Sequence, residues 1–205
     1  MNNDVKQRIL SESMQLMFNH GIKVMTMDEL AKRIGVSKRT IYEHFEDKDA
    51  LLSEVLKYHI KQKETQSKKS LEKSPTVIHA FFDFFTNVES SALSKAISRY
   101  DEIKRYHPIV YSKIIRDNDS QEIENTKYLL NLGIKQGVFR KDLNIDIIAQ
   151  LLQTFFHQIL NEENGLRELF PLEKIFGTFM QIFIRGCSTE KGLKVVETLT
   201  EKSKG

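Results

Sequence analysis

Thr26-Met-Asp-Glu-Leu-Ala31-Lys-Arg-Ile-Gly35-Val-Ser37-Lys-Arg-Thr40-Ile-Tyr42-Glu-His44-Phe45 packs two helix starts and one helix stop into a short span. Thr26 and Glu29 form the pattern of a capping box, which predicts that Thr26 caps the amide of Glu29 while Glu29 reaches back to the amide of Thr26. Met25 and Leu30 stand at the positions of a hydrophobic staple. Leu30, Ala31 and Ile34 make the buried stripe, and Gly35 ends the helix after two turns. Ser37 is the next N-cap, with Val36 and Ile41 as a second staple. Ile41 and Phe45 lie one turn apart and face inward.

Two short helices, about 27–34 and 38–44, joined by a glycine turn are the helix-turn-helix pattern. On a helical wheel Arg39, Thr40 and Glu43 oppose the buried arc, and Lys38, Tyr42 and His44 take the flanks. The second helix therefore offers long donors and an aromatic outward. It is short enough for its first residues to enter a major groove ~12 Å wide. Lys32, Arg33, Lys38 and Arg39 follow one another with no acid between, inside a frame of Asp28, Glu29, Glu43, Glu46 and Asp47. The positive field is local, and a solvated face is the competing reading of charge alone.

Outward from this stretch the chain reads as helix throughout. Val5, Ile9, Leu10, Met14, Met17 and Phe18 recur at helical spacing between Asp4 and His20. Gly21 stops that helix, since a residue without a β-carbon adopts the left-handed conformation. A fourth helix starts after Asp47, carries Leu51, Leu52, Val55 and Leu56, and runs through a polar stretch to Pro75. Further helices are predicted over Thr76–Val88, Ala92–Tyr106, Pro108–Gly137, Asp146–Leu160, Leu172–Arg185 and Glu190–Lys204. No strand-like alternation persists. The expected architecture is all-α, with about nine or ten helices.

Composition narrows the class. With 40% hydrophobic and 29% charged residues the chain is an ordinary globular one, and its net charge of +3 does not by itself argue for nucleic acid. The single cysteine, Cys187, forbids an internal disulfide and is read as a small hydrophobe in a reducing compartment. No apolar run approaches the ~18 to 20 residues that span a bilayer, and the N-terminus is no signal peptide, so a cytoplasmic location away from membranes is expected. No paired acid and base, phosphate-binding glycine loop or zinc spacing is present. The chain is read as a non-enzyme without cofactor or metal.

The run from Thr26 through Lys48 to Leu51-Leu52 resembles the head of TetR-family regulators: a threonine, Leu-Ala, Gly35-Val-Ser37, Tyr42-x-His44-Phe45, then a lysine before paired leucines. Ile34 departs from the pattern, which often has a smaller residue there. The resemblance covers the first quarter of the chain. It implies a DNA-binding domain over residues 1–60 and a helical ligand-binding and dimerisation domain over 61–205. It further implies phosphate contacts from Thr26, Ser37, Tyr42, His44 and Lys48, and base contacts from Lys38, Arg39 and Thr40. Thr26, Ser37 and Lys48 also lie at or beside helix N-termini, where free amides favour an anion. Packing for Tyr42 and a helix-end hydrogen bond for His44 are the plain alternatives.

The body is expected to supply a two-fold axis, because specific binding usually needs two heads ~34 Å apart on a palindromic operator. Phe176, Phe179, Met180 and Phe183 form the apolar stripe expected at a homodimer interface, against the alternative of an interior helix. Lys135–Leu143 resembles the turn before the dimerising helix of the family, and Ile184–Thr189 its usual close. Phe81, Phe82, Phe84, Phe85, Tyr100, Tyr106, Phe155 and Phe156 either line a pocket for an apolar or aromatic effector or fill a core. The expected function is a ligand-responsive repressor. The alternatives are an architectural or division-linked DNA-binding protein without effector, and a helical binding module that does not bind DNA.

Overall fold

A computed structural model describes the backbone of residues 2–86, 99–160 and 165–202; the side chains of 2, 3, 84–86, 115, 116, 160 and 202 lie outside the described set. Among the described residues the chain is helical, with one isolated antiparallel bridge. The helices are α1 (Asn2–His20), α2 (Met27–Ile34), α3 (Lys38–Tyr42), α4 (Lys48–Lys73), α5 (Val77–Thr86), α6 (99–106), α7 (Pro108–Lys135), α8 (Ile145–Leu160), α9 (Leu166–Leu169), α10 (Leu172–Cys187) and α11 (Glu190–Lys202). The all-α expectation holds. The single turn of α9 is an addition, too short for periodicity to announce.

The chain divides into two compact units, Met1–Thr65 with Ser91–Asp117, and Gln66–Ser90 with Asn118–Gly205. In the first, Ile9, Leu16 and Met17 of α1, Leu30 of α2, Ile41 of α3 and Leu51, Leu52 and Val55 of α4 share one core with Ile103 and Ile114. Each fully buried aliphatic side chain contributes about 1.5–3 kcal/mol. Gly21 and Gly35 end their helices with φ of 93° and 73°, the left-handed conformation that other residues resist. His59 lies half-buried on α4 with its ring 4.5 Å from that of Phe18, and its Nε2 is buried without a hydrogen-bond partner. Burial pushes its pKa down to about 4.

In the second unit Val77, Ile78, Leu130, Val138, Phe139, Leu152, Met180, Ile184 and Val196 form the core. The turn after α7 and the turn after α10 are stitched together here. Arg140 N donates to Cys187 O at 2.9 Å, Thr189 N donates to Val138 O at 3.0 Å, and Phe139 pairs with Ser188. These are the two segments, Lys135–Leu143 and Ile184–Thr189, singled out above. Cys187 is buried beneath the junction, and burial raises its thiol pKa to about 11.

Candidate nucleic-acid interface

The two caps position the site. Thr26 is extended (φ −110°, ψ 157°) and its Oγ1 accepts from Glu29 N at 3.2 Å. The reciprocal half of the capping box is not made. Thr26 N instead donates to Val24 O at 2.8 Å, and Glu29 Oε1 takes the Arg33 guanidinium at 2.8 Å. Arg33 wins the carboxylate because it lies one turn along the same helix, where the pair forms without bending the chain back. Ser37 Oγ accepts from Thr40 N at 3.0 Å and shares a 2.8 Å hydrogen bond with Thr40 Oγ1. Both staple residues of α2, Met25 and Leu30, are fully buried.

α3 is shorter than the 38–44 expected: helix proper ends at Tyr42, and Glu43, His44 and Phe45 close it with bonds back to Arg39 and Ile41. Ile41 is its one buried residue, with Phe45 buried just beyond. Lys38, Arg39, Tyr42 and Glu43 therefore face solvent, and Thr40 and His44 are half-buried. Arg39 has 89% of its side chain exposed and Tyr42 is 48% exposed.

The cations on this surface have partners. Lys38 Nζ donates to Asp28 Oδ2 at 2.8 Å, and that carboxylate raises the pKa of the ammonium. Arg39 Nε donates to Glu43 Oε1 at 3.2 Å. Both pairs are exposed, so each is weak and yields readily to a stronger anion. Lys48 differs: its Nζ donates to Ile22 O at 2.8 Å, and burial lowers its pKa.

One member of the head was missed. Arg8 Nη2 donates to Ile34 O at 2.8 Å, satisfying a carbonyl at the end of α2. Its position in α1 carries no local signal for this contact.

The residues expected in a pocket fall into separate units. Tyr100 packs against the core of the first unit, and Tyr106 is 46% exposed with Lys23 Nζ 4.7 Å from its ring centroid. In the second unit Phe81, Phe82 and Phe156 pack against the core, and Phe155 stacks on Phe179 with centroids 3.4 Å apart and meets Phe176 edge-on. The side chains of Phe84 and Phe85 lie outside the described residues. A shallow surface hollow of ≈ 300 Å³ is lined by Asp146, Ile147, Gln150, Leu151 and Thr154.

Of the residues expected at a dimer interface, Phe176 and Met180 are already buried within the chain, while Phe179 and Phe183 are half-buried. Ile147 and Leu151 on α8 and Ile182 on α10 are the apolar side chains left 56–67% exposed there. Among the described residues no group of three or more potential metal ligands occurs, and no helix is long and apolar enough to cross a membrane.

Residues 9–55 match the family described as bacterial regulatory proteins, tetR family. The chain is 22% identical over 188 residues to the uncharacterized HTH-type transcriptional regulator YvaF of Bacillus subtilis (strain 168), covering 90% of this chain and 96% of that one. It is 20% identical over 155 residues to the HTH-type transcriptional repressor KstR2 of Mycolicibacterium smegmatis, covering 72% and 74%. Its fold is similar to the crystal structure of a transcriptional regulator from Cytophaga hutchinsonii, with a TM-score of 0.71 at 18% identity over 88% of this chain and 97% of the other.

Proposed function

We propose that the chain, whose residues 9–55 match the tetR family, is a helix-turn-helix transcriptional regulator that represses transcription as a homodimer on a palindromic operator, released by an apolar or aromatic effector. The observation that carries the reading is α3 itself. It is capped by Ser37, held to the core through Ile41, and turns Lys38, Arg39 and Tyr42 to solvent. A helix so held enters a major groove without disturbing the head.

Lys38, Arg39 and Thr40 read base edges, with Arg39 taking a guanine; Asp28 and Glu43 are the partners these cations give up. Thr26, Ser37, Tyr42, His44 and Lys48 hold phosphates and set the register. The functional head corresponds to residues 1–60, and residues 61–205 carry dimerisation and effector binding. α8 and α10 form the dimer contact, with the exposed Ile147, Leu151 and Ile182 joining Phe179 and Phe183. Repression rather than activation takes support from the relative named a repressor.

The close stacking of Phe155 on Phe179 favours a second reading, a DNA-binding protein whose body is filled and takes no effector. Selection of bound sequences from random duplex DNA tests the main proposal. The expected product is an inverted repeat with half-sites about one helical turn apart. Recovery of no enriched sequence overturns it. Melting the protein against a panel of apolar and aromatic compounds separates the two readings. A compound that raises the melting temperature and lowers operator affinity supports the effector, and a panel without one supports the filled body.

A further inference from the structure

Ile22, fully buried in the turn between α1 and α2, is gripped at both of its backbone polar groups. Its N–H donates to Glu102 Oε2 of α6 at 2.9 Å, a contact spanning eighty residues of sequence. Its carbonyl accepts from Lys48 Nζ, the first residue of α4, at 2.8 Å. Glu102 is itself held by Arg99, which also reaches Phe18 O at the end of α1. The side chains come close to the backbone here: a β-carbon added to Gly21 would meet Arg99 Nη1 and Glu102 Oε2, each at 3.1 Å. A second tether runs alongside, from His107 Nδ1 to Asp49 Oδ1 at 2.5 Å.

We propose that Glu102 is a positioning residue for DNA binding, fixing the backbone of Ile22, whose carbonyl oxygen in turn aims the Lys48 ammonium at a backbone phosphate. The inference rests on the phosphate contact proposed for Lys48. The physical reason is the number of donors. An ammonium has three, and one spent on Ile22 O leaves two whose directions are then set. An unanchored lysine would have to order its whole side chain on meeting DNA. With the carboxylate of Glu102 gone, the turn loses the acceptor for the Ile22 N–H, and Ile22 O no longer stands in a fixed place. A displacement of α6 against this turn thereby reaches a phosphate contact through the backbone of one residue, Ile22.

The test is a double-mutant cycle on the full-length protein and its selected operator, with affinity titrated at several salt concentrations. Lys48→Ala should weaken binding about tenfold and lower the salt slope by about 0.9 per subunit. Glu102→Ala should do nearly the same, and the double variant should be no worse than Lys48→Ala alone. Glu102→Gln keeps an acceptor for the Ile22 amide and should retain the wild-type salt slope. A purely structural Glu102 would change the melting temperature but not that slope. If Glu102→Ala fails to fold, Glu102→Asp, which withdraws the carboxylate by one methylene, takes its place in the cycle. A Lys48→Ala protein that binds as the wild type does removes the phosphate contact itself. A Lys48→Ala loss combined with an unchanged slope in the Glu102 variants, or with fully additive losses, overturns the positioning role alone.

Discussion

Gly192→Ala is a sharp test of the junction in the second unit. Gly192 lies in the first turn of α11, and a β-carbon built there would sit 2.1 Å from Val138 O, with Ser188 Cβ and Oγ at 3.0 Å. Val138 has little freedom to retreat: it is fully buried, and its carbonyl is held by Thr189 N at 3.0 Å. Relief of the clash therefore means moving backbone. Overpacking of this kind costs about 1–3 kcal/mol, and loss of the Thr189 bond adds about 1 kcal/mol. Against this, alanine gains about 1 kcal/mol over glycine as a helix former. The net loss is about 2 kcal/mol, or roughly 6 °C in melting temperature for a chain of this length. Gly177→Ala is the internal control. Gly177 is mid-helix in α10 with nothing within 4 Å of its added β-carbon, so the propensity gain stands alone and the variant should melt higher than wild type. Calorimetry on the two variants decides the matter. Should Gly192→Ala melt at or above the wild type, the close seating of α11 on Val138 is wrong.

Arg39→Ala should reduce discrimination by about 1–3 kcal/mol at the base pair it reads while leaving scrambled duplex binding nearly unchanged; equal losses on both duplexes would remove the base-reading role. Leu151→Asp and Ile182→Asp place charges on apolar side chains that are 61% and 67% exposed within one chain, so each should keep its helical circular dichroism yet sediment as a monomer if these faces meet a second copy. His59 contributes a pH dependence of definite sign. Its folded pKa of about 4 lies below the ordinary 6.5, so its contribution to stability is present above pH 6.5 and is lost as pH falls towards 4. The loss is up to about 3 kcal/mol. His59→Leu should flatten the difference in stability between pH 6.5 and pH 4, and an unchanged pH profile would contradict the burial of the ring.

The head was legible because its signals are local. A cap and a staple operate within five residues, so Thr26, Ser37, Met25 and Leu30 announce two helices with no knowledge of the rest of the chain. Glu29 shows where local reading becomes ambiguous. Its carboxylate reaches either the amide of Thr26 or the guanidinium of Arg33, both within four residues, and the sequence does not rank them. Arg8 on Ile34 O, Lys48 on Ile22 O and Glu102 on the Ile22 amide were not legible, since a side chain bonding a distant backbone group leaves no spacing signature. In the body, apolar periodicity marked Phe176 and Met180 for burial but did not say what would bury them. Their own chain does so, and it leaves Ile147, Leu151 and Ile182 exposed.

α3 is joined to the core by Ile41 alone, while its cap depends on Ser37 and on a backbone amide. Attachment and the proposed decoding thus fall to different side chains of one five-residue helix. Lys38 and Arg39, the exposed members of the proposed base-reading set, can be exchanged for other outward residues at little expense to folding, so that on this proposal a new binding sequence needs a change of vocabulary while the scaffold is left alone.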